Sequence, residues 1–152
     1  MDGTQAVGQD QAVRDMLARW ARAVTAGDLE AIMAHYASDI VSYDAIAALQ
    51  FVGADAYREH WRECLSACGA MRFEIHEPAV TVAGDLALLH YLARCGGTGA
   101  DGVEHMGWMR ATAGCRRADG DWLFFHEHYS APFDPASGKA LFDLQPPAAR
   151  VS

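Results

Sequence analysis

The spacing of apolar residues changes once along the chain, and this change limits the possible folds more than any other feature. In the first half, apolar residues such as Val13, Met16 and Leu17 follow the three-and-four spacing of amphipathic helices. From Met71 onward they alternate with polar residues, which is the period of half-buried strands. Three helical patterns followed by an antiparallel meander predict an α+β domain with helices on one side of a curved sheet.

Turn and capping signals give the predicted bounds of these elements. The first helix begins at Gln11, Asp28 is placed to cap the second, and Gly53-Ala54-Asp55 opens the third. Asp119-Gly120 predicts a two-residue type I′ hairpin turn. The predicted strands are residues 40–44, the second half of 45–52, 71–82, 86–95, 103–117 and 122–130.

The length and charge of the chain limit its class and its partners. Its 152 residues suit one domain, which we divide into a flexible N-terminus (1–10), the domain itself (11–134) and a C-terminal tail (135–152). A net charge of −8 without a basic cluster argues against nucleic acid as a partner. Because no stretch approaches the ~20 apolar residues of a membrane span and no signal pattern opens the chain, we expect a soluble cytoplasmic protein without a membrane partner.

The spacing of cysteine and histidine gives little support for a metal site. None of the four cysteines forms a C-x-x-C pair, which favours buried or half-buried thiols over zinc ligands or a redox couple. His126 and His128 are alternate strand residues, so their side chains share a face where they suit either a metal or a structural role. Since the sequence places no third ligand, no metal is predicted.

The hairpin turn also predicts which side chains share a face of the last two strands. Counting back from the turn, Arg110 lies opposite Tyr129 and Thr112 opposite Glu127, on the same face as Trp108. In this arrangement Arg110 holds Glu127 ionised inside a pocket or forms a structural ion pair with it. Without that partner, an apolar pocket raises the pKa of Glu127. A one-residue bulge would exchange the two faces.

Asp44 is the first candidate for chemistry. It ends a short strand and precedes an apolar run, as a general base at the mouth of a pocket would, although Asp is also a common turn former. Tyr57 and Trp61 lie along one line of the third helix. This line is either a core face or the wall of a cavity in which aromatic rings contact a ligand.

Several short motifs, spread over about residues 11–134, are shared with a known family. They are Trp20–Leu29, Tyr43-Asp44, Phe51–Tyr57, Asp119–Trp122, His126–Ser130 and Pro132-Phe133-Asp134. With them, the chain resembles the SnoaL-like (polyketide cyclase-like) branch of the NTF2-like superfamily, which includes ketosteroid isomerase. The resemblance implies a cone in which a curved sheet wraps three helices around an apolar cavity, a homodimer, and chemistry without an organic cofactor.

The resemblance also implies roles for individual residues. The general base of ketosteroid isomerase, a worked case of pKa tuning, falls on Asp44. The oxyanion tyrosine of the isomerase is replaced by Trp20, and its protonated acid falls near Thr112. His90 falls where cavity side chains lie in the isomerase, or is a buried structural histidine. Because two of the three parts are replaced, we expect a related reaction and not steroid isomerisation itself.

Two functions follow as hypotheses. The first is a cofactor-independent enzyme that isomerises, cyclises or dehydrates an apolar carbonyl compound of polyketide or steroid type by general acid–base catalysis. The second is a non-catalytic ligand-binding or dimeric association domain of the same fold. The position of Asp44 distinguishes them, because a base must reach into a closed apolar cavity. The candidate catalytic residues are Asp44, His90 and Glu127, and the candidate substrate-binding residues are Trp20, Tyr43, Tyr57, Trp61, Trp108, Arg110 and Tyr129.

Overall fold

The computed structural model describes residues 3–148, and within them the chain forms three helices and six strands. The helices are α1 (Gly3–Ala26), α2 (Leu29–Met33) and α3 (Ala54–Ala67). The strands are β1 (Tyr36–Tyr43), β2 (Phe51–Val52), β3 (Met71–Ala83), β4 (Leu86–Thr98), β5 (Glu104–Ala118) and β6 (Asp121–Ser130). The predicted α+β class is confirmed, with β1 and β2 placed between the second and third helices.

The strands form one sheet in the order β2-β1-β6-β5-β4-β3. Neighbouring strands are antiparallel except β1 and β6, which are parallel. In the helical layer, α1 packs against β3, while α3 packs against β1 and β2. The helices therefore cover one face of a curved sheet, and the core lies between the two layers.

Local signals predict the helix cap better than the helix bounds. Asp28 caps α2 as predicted, because its Oδ1 accepts a hydrogen bond from the Ala31 N–H at 3.0 Å. In contrast, α1 begins at Gly3 rather than at Gln11. The apolar spacing of Leu29, Ile32, Met33 and Tyr36 predicts that the second helix includes Tyr36, but this residue is the first of β1. Pairing within the sheet thus overrides the helical spacing at this position.

The turn between β5 and β6 is the predicted one. Ala118 pairs with Asp121, and the central residues Asp119 and Gly120 have φ angles of 52° and 88°. Positive φ at both central positions is the requirement of a type I′ turn, which an Asp-Gly pair meets with little strain. The predicted register therefore holds for the first pairs of the hairpin.

A one-residue bulge then reverses the faces of the rest of β6. The pairing shifts beyond Cys115, which leaves Phe125 as the extra residue. The Phe125 ring lies over Gly114, where an added Cβ would come within 2.8 Å of the ring. As a result, Glu127 and Tyr129 both face the helices, opposite Ala113 and Ala111, whereas Arg110, Thr112 and Trp108 lie on the other face of β5.

The largest fully buried side chains of the core include Trp20, Tyr57 and Phe124. On the outer face, the C-terminal tail follows the sheet, where the Trp108 N–H donates a hydrogen bond to the Phe142 carbonyl at 2.8 Å. None of the described helices combines the length and the apolar character that crossing a membrane requires.

Candidate active site

A cavity of about 300 Å³ lies between α3 and the inner face of the sheet, at the lower end of the size range of ligand pockets. Most of its wall is apolar, and the strongly polar side chains on it are those of Asp44, His60 and Tyr129. Trp61 also lines it, and its indole N–H has no hydrogen-bond partner among the described residues. The cavity therefore suits an apolar ligand that carries a few polar atoms.

Asp44 and His60 form a hydrogen-bonded pair in this wall. Asp44 Oδ2 lies 3.1 Å from His60 Nε2, and the two side chains are 15% and 4% exposed. Asp44 directly follows β1, and its Oδ1 accepts a hydrogen bond from the Ile46 N–H at 3.2 Å, which fixes the carboxyl group. His60 comes from the second turn of α3, where the Phe51 ring stacks on it at 4.2 Å. The pair is thus assembled from a strand end and a helix that are separate in the sequence.

The two groups form an ion pair at neutral pH. The hydrogen bond to Asp44 raises the pKa of His60 to about 10, and the neighbouring Cys64 adds to this, whereas burial opposes it. His60 is therefore an imidazolium beside the Asp44 carboxylate. Its second ring nitrogen, Nδ1, lies 4.0 Å from Cys64 Sγ. At that distance the sulfur is a weak acceptor, so the Nδ1 proton is available to a ligand oxygen.

Glu127 lies deeper in the core and is 1% exposed. Its Oε2 accepts hydrogen bonds from the Tyr57 and Tyr36 hydroxyls at 3.0 and 3.1 Å, and the Tyr36 oxygen accepts one from Trp20 Nε1 at 2.9 Å. Glu127 Oε1 has no hydrogen-bond partner among the described residues. Burial raises the pKa of Glu127 to about 8, although the phenol hydrogen bonds lower it. At neutral pH this carboxyl group is therefore mostly protonated, and Oε1 is free to carry the proton.

Tyr129 lies between the Glu127 cluster and the cavity. Its ring lines the cavity, and its hydroxyl lies 3.1 Å from the Tyr91 hydroxyl in the buried core. The Tyr129 hydroxyl is also close enough to Glu127 to lower the pKa of that carboxyl group. Tyr129 therefore connects the cavity wall with the buried polar groups behind it.

The structure brings three of the predicted site residues to the cavity, namely Asp44, Trp61 and Tyr129. Glu127 faces the same side of the sheet but belongs to the buried cluster behind the wall. Arg110 is not its partner. Glu127 accordingly has the raised pKa that a carboxyl group acquires in an apolar site.

The expected cavity positions of His90 and Arg110 are corrected by the structure, since both side chains are exposed on the outer face of the sheet. His90 lies on β4 between Leu89 and Tyr91, which occupy the inward positions of that strand. Arg110 does not share the face of Glu127 because of the bulge in β6. It donates a hydrogen bond to Ser130 Oγ at 3.1 Å instead.

Trp108 and Tyr43 were also predicted to contact a substrate, but both side chains face away from the cavity. The Trp108 ring lies 5.6 Å from that of His76. Tyr43 is 41% exposed and packs edge-on against the rings of His126 and His128, at 4.9 and 5.6 Å. The two histidines thus flank a tyrosine. Among the described side chains, no three His, Cys, Asp or Glu residues form a metal-binding group.

Trp20 and Tyr57 face inward as expected but do not line the cavity. Both are fully buried. The Trp20 indole N–H and the Tyr57 hydroxyl are used within the Glu127 cluster. Their predicted contact with a substrate is therefore replaced by a hydrogen-bonding role behind the cavity wall.

Sequence reasoning missed His60 and Tyr36 as candidate residues. His60 lies on the apolar stripe of α3 between Tyr57 and Trp61, where it has the spacing of a core residue. The sequence did contain one signal for His60. An ionisable side chain on a helix face that must be buried needs a polar partner. Tyr36 was hidden because its spacing also fits the buried face of a longer α2.

Together, the curved sheet, the three helices and the apolar cavity define the class of the protein as an NTF2-like fold. The chain belongs to the SnoaL-like domain family, whose profile matches residues 13–134. The resemblance inferred from the short motifs is therefore confirmed for both family and fold. No curated protein matches the sequence significantly.

Solved structures agree with this assignment. The chain is 49% identical to an NTF2-like protein of unknown function from Pseudomonas putida KT2440, with 92% of this chain and 98% of that chain covered and a TM-score of 0.85. A protein provisionally assigned as a dehydratase of the NTF2-like family, from Streptomyces avermitilis, matches with 17% identity, 82% and 97% coverage, and a TM-score of 0.75. An NTF2-like protein from Novosphingobium aromaticivorans matches with 16% identity, 87% and 88% coverage, and a TM-score of 0.69. The two matches of low identity concern the fold alone.

Proposed function

We propose that the protein is a cofactor-independent acid–base enzyme acting on an apolar carbonyl compound, with Asp44 as general base and His60 as general acid. The observation that carries this proposal is the 3.1 Å contact between the two side chains in the wall of an apolar cavity. A carboxylate and an imidazolium held together beside a ligand are the groups that proton abstraction next to a carbonyl requires. His60 takes the role first expected of His90.

In the first step, Asp44 takes a proton from the carbon next to the substrate carbonyl. The oxygen on which negative charge develops accepts a hydrogen bond from His60 Nδ1, which Cys64 leaves available at 4.0 Å. General acid–base help of this kind is typically worth ~10²–10⁴-fold in rate, and preplaced donors contribute a comparable factor.

Glu127 supports this site and does not react. Its carboxyl group is buried and mostly protonated, so it does not compete with Asp44 for the substrate proton. Instead it orients the hydroxyls of Tyr57 and Tyr36 through its Oε2. A satisfied polar network of this kind makes the core behind the cavity rigid.

Isomerisation, aldol-type cyclisation and dehydration share this first step, and the proposal covers all three. The apolar wall supports a ring compound of polyketide or steroid type as the substrate. We further propose, from the family resemblance, that the protein works as a cytoplasmic homodimer.

The test measures proton abstraction directly, so it does not depend on the later step. The protein is incubated in D₂O with 2-tetralone, a small bicyclic ketone, and deuteration next to the carbonyl is followed by mass spectrometry. The wild type is expected to exceed the buffer rate, and Asp44→Asn to lose at least ~10²-fold of that excess. Asp39→Asn is the matched control, since Asp39 lies on β1, the strand that Asp44 follows, but is exposed and paired with Arg116.

Two outcomes would contradict the proposal in different ways. Exchange at the wild-type rate in Asp44→Asn would remove Asp44 as the base. Binding of 2-tetralone by the wild type without any exchange would favour a ligand-binding domain that performs no chemistry. Mass spectrometry of small molecules that co-purify with the protein would then identify the class of natural ligand.

A further inference from the structure

Three of the four cysteines line the same cavity as Asp44 and His60. They are Cys64, Cys68 and Cys95, and each is partly exposed. The fourth, Cys115, is buried in the core. A compound that enters the cavity therefore meets three thiols of similar accessibility, and differences in their reactivity must come from their neighbours.

Cys64 differs from the other two because it lies beside the imidazolium. Its Sγ is 3.7 Å from His60 Nε2 and 4.0 Å from Nδ1. Since the Nε2 proton is directed at Asp44, the imidazole does not act as the base for this thiol. The nearly equal distances place the sulfur beside the ring as a whole, where the positive charge attracts negative charge that develops on sulfur.

Within residues 3–148, neither of the two other thiols has a recorded contact with a charged side chain. Cys68 directly follows α3, and its side chain lies beside Gly97, where an added Cβ would come within 3.1 Å of Cys68 Cβ. Cys95 Sγ lies 3.6 Å from Met109 Sδ, and burial raises the pKa of Cys95 to about 11. Reactive cysteines are found at partly exposed positions beside cationic groups, and Cys64 has both properties, with the His60 imidazolium as its neighbour.

We propose that Cys64 is a nucleophilic site of the cavity, which adds to the β-carbon of α,β-unsaturated carbonyl compounds. The sulfur–carbon bond forms as the C=C π bond opens, and the electron pair moves to the α-carbon and the carbonyl oxygen. The thiol proton ends on the α-carbon. The adduct therefore has the mass of protein plus ligand, and no oxidant or further reactant is consumed.

This chemistry uses the cavity and the His60 charge, but not proton abstraction by Asp44. The enolate oxygen formed during addition accepts a hydrogen bond from the same donor, His60 Nδ1, because His60 lines the cavity. Because an adduct is detected by mass alone, it is measured without any turnover. Loss of the adduct and loss of deuterium exchange are thus separate results, so failure of one proposal is distinguishable from failure of the other.

The first test uses the wild-type protein with 2-cyclohexen-1-one, and with cyclohexanone as the saturated control. Intact mass gives the number of adducts, and peptide mapping over time gives the rate at each cysteine. Cys64 is expected to react at least about tenfold faster than Cys68 or Cys95, with no adduct from cyclohexanone. Equal or faster reaction at Cys68 or Cys95, or no adduct at Cys64, would overturn the proposal without any variant being needed.

The second test asks whether the imidazolium is the cause. His60→Gln is expected to slow Cys64 about tenfold while Cys68 changes less than about twofold. Cys64→Ser should remove the fast adduct. His105→Gln is the matched control, because His105 also pairs with an aspartate, Asp101 at 3.3 Å, but is 68% exposed outside the cavity. An unchanged rate at Cys64 in folded His60→Gln would reject the assigned role of the charge.

Discussion

Asp44 and Glu127 are both carboxyl groups on the side of the sheet that faces the helices, but their partners and their burial differ. Asp44 is 15% exposed at the cavity wall and lies 3.1 Å from a cationic imidazole. Glu127 is 1% exposed and bonded to neutral phenols. A phenol donates a hydrogen bond but carries no charge, so it offsets only part of the free energy of burying a carboxylate.

The difference teaches that the partner, and not burial alone, decides which carboxyl group is ready to accept a proton. Asp44 lies beside the cationic His60 and faces a ligand cavity. Glu127, with a pKa of about 8, is a neutral member of the core at pH 7. The proposed reactive groups, Asp44 and His60, thus lie in the cavity wall, and Glu127 with its phenol partners forms a supporting core behind it. Substitutions at each carboxyl group and at its partners test this difference.

The largest expected effect is on proton exchange. His60→Gln should slow the exchange of 2-tetralone about 10²-fold, because it removes the cationic donor to the developing oxyanion. Glu127→Gln should stay within about threefold of the wild type, since glutamine is neutral and keeps an acceptor for Tyr57 and Tyr36. A loss in Glu127→Gln as large as that in His60→Gln would show that Glu127 takes part in the reaction.

The next effect is on stability as a function of pH. The pKa of Glu127 is about 8 in the folded protein against an ordinary value of 4.5, so its stabilising contribution is complete below pH 4.5. As the pH rises from 4.5 to 8, the unfolded state loses this proton while the folded state keeps it. The free energy of unfolding then falls by about 1.4 kcal/mol per pH unit, or a few kcal/mol in all.

The difference in unfolding free energy between the wild type and Glu127→Gln isolates this contribution. Measured by urea unfolding, the difference should decline between pH 4.5 and 8 and stay constant on either side. Other titrating groups, His60 among them, are common to both proteins and cancel. A difference that does not vary with pH would mean that Glu127 is ionised in the folded state and that its phenol partners suffice.

Much of the fold was predictable because its signals are local. The helical spacing, the Asp28 cap and the Asp119-Gly120 turn depend on residues within a few positions of one another. The bulge at Phe125 was not predictable in this way. It depends on Gly114, across the hairpin, having no side chain where the Phe125 ring lies, and this tertiary contact reverses the face of Glu127.

The site was predictable in part for the same reason. Asp44 has a local signature, a carboxylate at the end of a short strand, and it does reach the cavity. Its partner His60 is joined to it only by the packing of α3 against β1, which no spacing reveals. His90 was misplaced because β4 is apolar on both faces, with Leu86 and Leu88 exposed on the outer side, so the pattern did not say which face is inward.

A smaller effect concerns the charge of His60. In the wild type its ring should stay protonated up to about pH 10, and the stability that this proton contributes is complete below pH 6.5 and lost as the pH rises through 10. Asp44→Asn removes the largest cause of the raised pKa of His60, so this pKa should fall. NMR titration of the imidazole C–H signals measures it, with the exposed His105 as internal reference. An unchanged titration of His60 would mean that Asp44 does not hold the charge.

The smallest effect distinguishes the two phenols of the supporting core. Tyr57→Phe should lower the free energy of unfolding by about 1 kcal/mol, the net value of one hydrogen bond. Tyr36→Phe should cost about 2 kcal/mol, because the Tyr36 oxygen also accepts from Trp20 Nε1, which would be left buried without a partner. The exposed Tyr43→Phe is the control and should stay within about 0.5 kcal/mol.

Each core substitution also removes a hydrogen bond that lowers the pKa of Glu127, so the pH-dependent decline in the free energy of unfolding should end at higher pH. Costs near zero for both core substitutions, with no such shift, would mean that the two side chains act only by filling space.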